Sequence, residues 1–264
     1  MKKIILYLLL TTILFSEEYA LKEVWKLTDI NETIKTLYGK DIRLKTDDKV
    51  SLIVPALAEN PFLIPLTIKS AISLKSIAIL QKVKDNKNLI AFIKTPSDSN
   101  LLYRLRLNLE QGIFLGEIIV IFEGIDGKFY LDKKTVRASQ RCCFGCGDEN
   151  LSKLILKKKK ELFQIENTSE KIRLRVKNKN IKFLLRLPIV NKKESKKYNL
   201  PLNYIKYIRC EQDKNILMEI YMNHYSYLMK FSSTEFVNDK HIDFFIGTNI
   251  GMEYVIEKSI TFRK

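Results

Sequence analysis

The chain has 264 residues, 46% of them hydrophobic, with 29% charged and a formal net charge of +16. That is enough apolar material for one large domain or two of about 100 residues each, and four cysteines in such a length exclude a small disulfide-stapled fold. The lysines are spread along the chain with no RNA- or DNA-binding motif, so no nucleic-acid partner is expected; a lysine-rich proteome explains the charge as well as an anionic partner does.

Met1-Lys2-Lys3 precedes an apolar run from Ile4 to Phe15. Two positive charges, about a dozen apolar residues and a polar continuation describe a secretory signal peptide over residues 1–16. The run is short for a membrane span. Ser16 or Ala20 stands where cleavage would fall, and an uncleaved anchor is the alternative. The expected location is the periplasm. Residues 17–49 read as a helical or extended segment. Leu21, Val24, Trp25 and Leu27, then Ile30, Ile34 and Leu37, recur at helical spacing, and Trp25 is expected to pack on the domain that follows.

From Val50 the texture changes to short apolar or alternating runs: Ser51–Val54, Phe62–Ile68, Ile77–Val83, Leu89–Ile93, Leu101–Leu109, Gly116–Phe122 and Lys128–Val136. Pro, Asn, Asp, Ser and Gly separate them. Asp126-Gly127 is a strong hairpin signal between two of these runs. Residues 50–147 are therefore expected to form a β-sandwich. Residues 148–169 contain the run Lys157–Lys160 and read as a basic linker. Residues 170–264 return to strand texture, with runs at Ile172–Val176, Ile181–Leu187, Tyr204–Arg209, Ile216–Tyr221, Tyr225–Phe231, His241–Ile246 and Tyr254–Phe262. The fold class expected is all-β: two immunoglobulin-like β-sandwich domains joined by a basic linker.

Three of the four cysteines fall in Arg141-Cys142-Cys143-Phe144-Gly145-Cys146-Gly147, between the two blocks. Cys143 to Cys146 is a C-x-x-C, but no βαβ pattern surrounds it as in a thioredoxin-like protein. A metal site built on Cys142, Cys143 and Cys146 needs further ligands, and the two histidines, His224 and His241, lie far along the chain. A disulfide from Cys143 to Cys146, or from the cluster to Cys210, is the plain structural reading. Gly145 and Gly147 point to another use. They strip side chains from both sides of Cys146, so that the segment can enter narrow clefts. Arg137 and Arg141 favour the nucleophilic thiolate, whereas Asp148 and Glu149 oppose it. No Ser-His-Asp set, paired carboxylates or phosphate loop stands out. The pattern suits a carried thiol more than a catalyst.

Several stretches give this pattern a family. Val54-Pro55-Ala56-Leu57-Ala58-Glu59-Asn60, Ile64-Pro65-Leu66-Thr67-Ile68, Arg104-Leu105-Arg106-Leu107 and Asp126-Gly127-Lys128-Phe129-Tyr130 resemble the SoxY sulfur-carrier family. Leu185-Arg186-Leu187-Pro188, Leu200-Pro201-Leu202-Asn203-Tyr204-Ile205, Asn223-His224-Tyr225-Ser226-Tyr227-Leu228 and Thr248-Asn249-Ile250-Gly251 resemble its partner family, SoxZ. The resemblance implies both subunits in one polypeptide, with the two domains in contact. It implies that Cys146 carries thiosulfate-derived sulfur, that a cytochrome loads the thiol and that a hydrolase releases sulfate, with no cofactor and no metal on the carrier itself. Fused carriers of this kind include a set associated with quinoprotein dehydrogenases. The chain departs from the family in three ways. The glycine tail is reduced to Phe-Gly-Cys-Gly and is internal. Cys143 and Cys142 stand beside the carrier position as alternative or gating thiols. Asn203 replaces a histidine. The other reading is a secreted β-sandwich module that uses its cysteines for a disulfide or a metal.

Overall fold

In a computed structural model of the chain, residues 21, 23–39, 42–58, 64–83, 86–94, 100–105, 115–138, 172–177, 180–185, 190, 195–196, 199–223, 226–232, 240–251 and 253–259 are described. The expected signal peptide, the whole of the linker and the whole cysteine segment lie outside them.

Helix α1 spans Ile30–Tyr38. Asp29 caps it by accepting from the backbone N–H of Asn31 at 2.7 Å and of Glu32 at 3.0 Å, and Gly39 ends it at φ 68°, a left-handed conformation that glycine adopts without a Cβ penalty. The strands of the first half follow: β1 Leu44–Lys45, β2 Val50–Ile53, β3 Leu57–Ala58, β4 Ile64–Ser70, β5 Leu74–Val83, β6 Asn86–Lys94, β7 Asn100–Leu105, β8 Leu115–Gly124 and β9 Phe129–Ala138. The second half supplies β10 Ile172–Lys177, β11 Asn180–Leu185, β12 Ile205–Gln212, β13 Asn215–Met222, β14 Ser226–Ser232, β15 His241–Thr248 and β16 Glu253–Ser259. The all-β expectation holds, and each apolar run read from the sequence corresponds to one of these strands.

Two sheets contain all of them. The larger runs β1-β9-β8-β5-β6-β13-β12-β15-β16, with β3 also paired to β9, and the smaller runs β10-β11-β14-β7-β4-β2. Both sheets pass from the first half into the second without a break. In the larger, β6 pairs antiparallel with β13, placing Ile93 opposite Ile220 and Phe92 opposite Tyr221. In the smaller, β7 pairs antiparallel with β14 from Leu105–Ser226 to Asn100–Ser232. Alone, each half would leave β6 and β7, or β13 and β14, as open edges with unpaired backbone groups. Pairing them satisfies both. Asn223 reinforces the seam: its Nδ2 donates to the carbonyl of Leu89 at 2.9 Å and its backbone N–H to that of Ile90 at 3.2 Å.

One apolar core lies between the sheets and is continuous across the seam. It includes Leu52, Leu66 and Ile68 of the small sheet and Ile77, Ile93, Phe122, Ile208, Ile220 and Phe244 of the large one. A second core covers the outer face of the large sheet in the first half. There Val24, Ile34 and the half-buried Trp25 pack on Ala78, Leu80, Phe92, Ile119 and Phe129. Trp25 thus packs where the helical spacing placed it. Tyr38 makes edge contacts with Phe129 at 4.9 Å and Phe92 at 6.4 Å; its hydroxyl is enclosed, and burial pushes the phenol well above its ordinary range. Nearby, Ser76 donates to Glu123 Oε2 at 2.7 Å and Lys75 reaches Glu123 Oε1 at 3.1 Å, so this buried carboxylate is paired. Among the described residues no helix is long and apolar enough to cross a membrane.

Candidate functional site

The expected site residues, Cys142, Cys143, Gly145, Cys146 and Gly147, all lie outside the described residues. What the structure gives is the platform they leave and the strand they lead to. The chain departs at Ala138, the last residue of β9, and returns at Ile172, the first of β10. β9 is anchored on both sides. It pairs antiparallel with β8 along its whole length, and the short strands β1 and β3 run parallel to it on the other side. The backbone N–H of Arg137 donates to the carbonyl of Ala56 at 2.8 Å. The carboxylate of Asp132 accepts from the backbone N–H of Leu52 at 2.7 Å, which ties β9 to the edge strand β2 of the small sheet.

The departure and return points stand far apart in the layering. β9 lies beside β2 at one side of the small sheet, and β10 is that sheet's opposite edge. Five strand spacings of about 4.8 Å separate β2 from β10, roughly 24 Å. The connection, residues 139–171, holds 33 residues. Extended at about 3.3 Å each they would cover over 100 Å. An internal segment held at both ends therefore still has several times the length needed to close the path.

The motifs that carried the resemblance come together in pairs. Val54–Ala58 ends in β3, which places Leu57 beside Arg137 and Ala58 beside Ala138, at the point of departure. Asp126-Gly127 forms the expected hairpin, with Gly127 at φ 74° and the N–H of Gly124 donating to the carbonyl of Lys128 at 2.9 Å. Asp126 is held below the usual carboxylate range by its hydrogen bond from Lys128. In the second half, Asn249 joins two distant motifs. Its side chain accepts from the N–H of Tyr204 at 2.7 Å and donates to the carbonyl of Leu202 at 2.9 Å. Asn203 is buried and pairs in an isolated bridge with Val190. His224 is outside the described residues; His241 is exposed at the start of β15.

Cys210 is a free thiol, fully buried in the core between the sheets. Burial, followed by the nearby Asp243 and Glu211 charges, pushes it far above the ordinary thiol range, so it stays neutral and inert. Cys210 is unpaired in this structure, in the core with Ile208, Ile242 and Phe244, and so does not make the disulfide to the cluster. Among the described residues no group of three or more His, Cys, Asp or Glu side chains is placed to hold a metal ion.

One feature was missed in the sequence. Beyond Trp25 the outer face of the large sheet opens into a cavity of about 670 Å³ lined by Tyr207, Arg209, Tyr221, Phe245 and Glu253 among others. The Arg209 guanidinium lies 4.7 Å from the Phe245 ring centre, and its Nε is 2.8 Å from Glu211 Oε1. Tyr207 donates to Glu253 Oε1 at 3.1 Å. Among the described residues the lining offers aromatic faces and charges of both signs but no Cys, Ser or His. Its signal in the sequence is the period-two alternation of Tyr207 and Arg209 in β12 and of Glu219 and Tyr221 in β13.

The comparisons with known proteins agree with the first-half motifs. The family model described as sulfur oxidation protein SoxY matches residues 34–143. Over that stretch, from within α1 to Cys143, the chain is SoxY-like. No curated protein matches the chain. Among solved structures, that of the sulfur carrier protein SoxY from Chlorobium limicola f thiosulfatophilum is similar, at 17% identity and a TM-score of 0.35, covering 42% of this chain and 96% of that one.

Proposed function

We propose that this protein is a periplasmic sulfur carrier of thiosulfate oxidation, with its cargo held covalently on Cys146. The observation that carries the reading is the SoxY match over residues 34–143, which runs up β9 and into the cysteine segment. The reading makes the second half, residues 170–264, a SoxZ-like partner, and the paired motifs at Asn249 and the seam at Asn223 are what support it.

In this role the chain turns nothing over by itself. A cytochrome partner joins thiosulfate to the thiolate, forming a sulfur–sulfur bond while two electrons pass to the cytochrome. A hydrolase then adds water across the terminal sulfur–sulfonate bond, which releases sulfate and leaves a persulfide on the carrier. Arg137, exposed at the end of β9, contributes positive charge near the segment, which favours the thiolate. Export by residues 1–16 would bring the protein to such partners, and Cys143 would cap or gate Cys146 by disulfide exchange.

The matched stretch ends at Cys143, three residues short of Cys146, which keeps Cys143 in contention as the loaded thiol. Intact-mass measurement on protein purified after growth on thiosulfate tests both points. Reducible sulfur-containing adducts are expected on the wild type and on Cys143→Ser, and none on Cys146→Ser. The opposite pattern moves the cargo to Cys143. A mass lower by only two hydrogens per bond, unchanged by thiosulfate, would replace the carrier with a disulfide module, and bound metal in elemental analysis would replace it with a metal module.

A further inference from the structure

The turn between β8 and β9 holds the chain's one Asp-Gly pair, Asp126-Gly127, and the sequence has no Asn-Gly. An aspartate followed by glycine is open to rearrangement, because glycine puts no side chain in the way of its own nitrogen. That nitrogen can attack Cγ of the aspartate when the carboxyl is protonated. A C–N bond forms, a C–O bond breaks, and water leaves with the carboxyl hydroxyl and the amide proton. Water then opens the five-membered imide at either carbonyl. One opening restores aspartate; the other leaves isoaspartate, with an extra methylene in the backbone. Nothing is oxidised or reduced, and water is the only co-reactant.

In this hairpin both reacting groups are held. The N–H of Gly127 donates to the carbonyl of Gly124 at 3.0 Å, and that of Ile125 donates to the carbonyl of Ser73 at 3.2 Å, which pins the turn to the residue before β5. The Asp126 carboxylate accepts through Oδ1 from the backbone N–H of Lys128 at 3.1 Å and through Oδ2 from the Lys128 ammonium at 2.7 Å. These bonds hold the carboxyl below its usual range and keep it ionised, and a carboxylate is a poor target for a nitrogen nucleophile. Gly124 makes room for the arrangement. A Cβ there would lie 2.5 Å from Asp126 Oδ1. Asp126 and Gly127 are exposed, so water reaches them. We infer that Asp126-Gly127 is a latent site of isoaspartate formation, and that Lys128 and Gly124 hold it in check. The added methylene would disturb the closure in which the N–H of Gly124 donates to the carbonyl of Lys128 at 2.9 Å. With it would go the start of the β8–β9 register, which carries β9 to the point where the chain departs. The hairpin behaves in this way whatever the cysteine segment carries.

The test follows isomerisation in the full chain. Purified wild type, Lys128→Met, Gly124→Ala and, as a control for lost charge, Lys133→Met are incubated at neutral pH beside the free peptide of residues 122–130. Isoaspartate is read by digestion and fragment masses, and by transfer of a labelled methyl group from an isoaspartyl methyltransferase. Wild type should convert Asp126 severalfold more slowly than the peptide does. Lys128→Met and Gly124→Ala should convert it severalfold faster than wild type. Lys133, which stands 3.6 Å from Glu117, does not touch the turn, so Lys133→Met should keep the wild-type rate. Lys128→Met, a surface change, keeps the test decisive should Gly124→Ala fold poorly. Equal rates in wild type and Lys128→Met would overturn the inference. So would equal acceleration by Lys133→Met, because net charge rather than the Asp126–Lys128 pair would then set the rate. A peptide no faster than wild type would overturn it as well, since the fold would then give no protection.

Discussion

The large sheet has one inner face and two different outer faces. In the first half, helix α1 with Leu21, Val24, Trp25 and Leu27 covers it, and its strands are buried on both sides: β8 reads as one exposed residue, then burial almost without interruption to Gly124. In the second half the outer face is open, and β12 and β15 alternate between buried and partly exposed positions. The sequence carries the same contrast. Ile118-Ile119-Val120-Ile121-Phe122 is continuously apolar, whereas Ile208-Arg209-Cys210-Glu211 alternates. A strand with both faces buried needs an unbroken apolar run, and one with a single buried face needs a period of two. Two textures within one sheet therefore mark where the sheet has a cover, and the cavity beside Trp25 sits at the boundary between them.

The strongest way to break this picture is to attack what the halves share. Ile220 is fully buried in β13 opposite Ile93 of β6. Ile220→Asp puts an unpaired charge into the common core and should cost about 3–5 kcal/mol. Because both sheets and the core cross the seam, the first half should be lost with the second. Fluorescence of Trp25, the chain's one tryptophan, and far-UV circular dichroism should fall in a single transition. A variant in which the Trp25 signal keeps its wild-type midpoint while strand signal is lost would show that the halves fold independently. The next effect sharpens the contrast of faces. Ile34 on α1 is buried against the outer face, so Ile34→Ala should cost about 2–4 kcal/mol by denaturant titration. Val255, 62% exposed on the open side, should tolerate Val255→Ala within about 0.5 kcal/mol. Equal costs at the two sites would mean that the second-half face is covered in solution.

Much of this fold was legible. Alternation and turn residues located the strands, the spacing of Ile30, Ile34 and Leu37 located α1, and Asp126-Gly127 located its hairpin. Three things were not. The two-residue strands β1 and β3 are too short to show any period, and they exist because β9 offers them an edge. The seam pairs β6 with β13 and β7 with β14, each more than 100 residues apart in sequence, and local pattern does not encode which distant edges meet. The reading of two sandwiches therefore described the strands well but did not foresee that they would share both sheets. Of the candidate site, the sequence supplied the cysteine segment, whereas the pairing of Leu57 with Arg137 and of Ala58 with Ala138 at the point of departure emerges only from strand register.

The cysteines extend the comparison between regions. Cys146 is the expected carrier thiol, with Cys143 and Cys142 as alternative or gating thiols, and Cys210 is their opposite, a core residue that happens to be a thiol. Cys210→Ser places a hydroxyl in an apolar site and should cost about 1–3 kcal/mol. The pH dependence has a definite sign. The folded-state pKa of Cys210 is raised above its ordinary 9.0, so its contribution is intact below that value and is lost as pH climbs beyond it. Tyr38, raised above its ordinary 10.0, acts in the same direction at higher pH. Melting temperature should therefore fall between about pH 8 and about pH 10, and less steeply in Cys210→Ala than in wild type. Identical slopes would mean that the thiol is not buried in solution.

The smallest effect concerns how each half turns its chain. The β8–β9 hairpin places glycine where φ is positive, at Gly127. The β12–β13 hairpin closes with two residues, Asp213 and Lys214, at φ 51° and 65°. Both are side-chain-bearing residues in the left-handed region, where two-residue hairpins favour Asn-Gly or Asp-Gly. Asp213 is retained by its ion pair with Lys240, which bridges to the start of β15. Lys214 is exposed and carries the strain without that compensation. Lys214→Gly should relieve it and raise stability by about 0.5–1 kcal/mol, less than the full left-handed penalty because glycine also loosens the unfolded chain. The converse change, Gly127→Lys, should cost about 1 kcal/mol, since nothing crowds the site and only the backbone conformation resists. Denaturant midpoints moving in opposite directions for the two variants would confirm that the left-handed backbone at these two positions sets their cost. A loss of stability in Lys214→Gly would show that the Lys214 side chain makes a contact worth more than the strain.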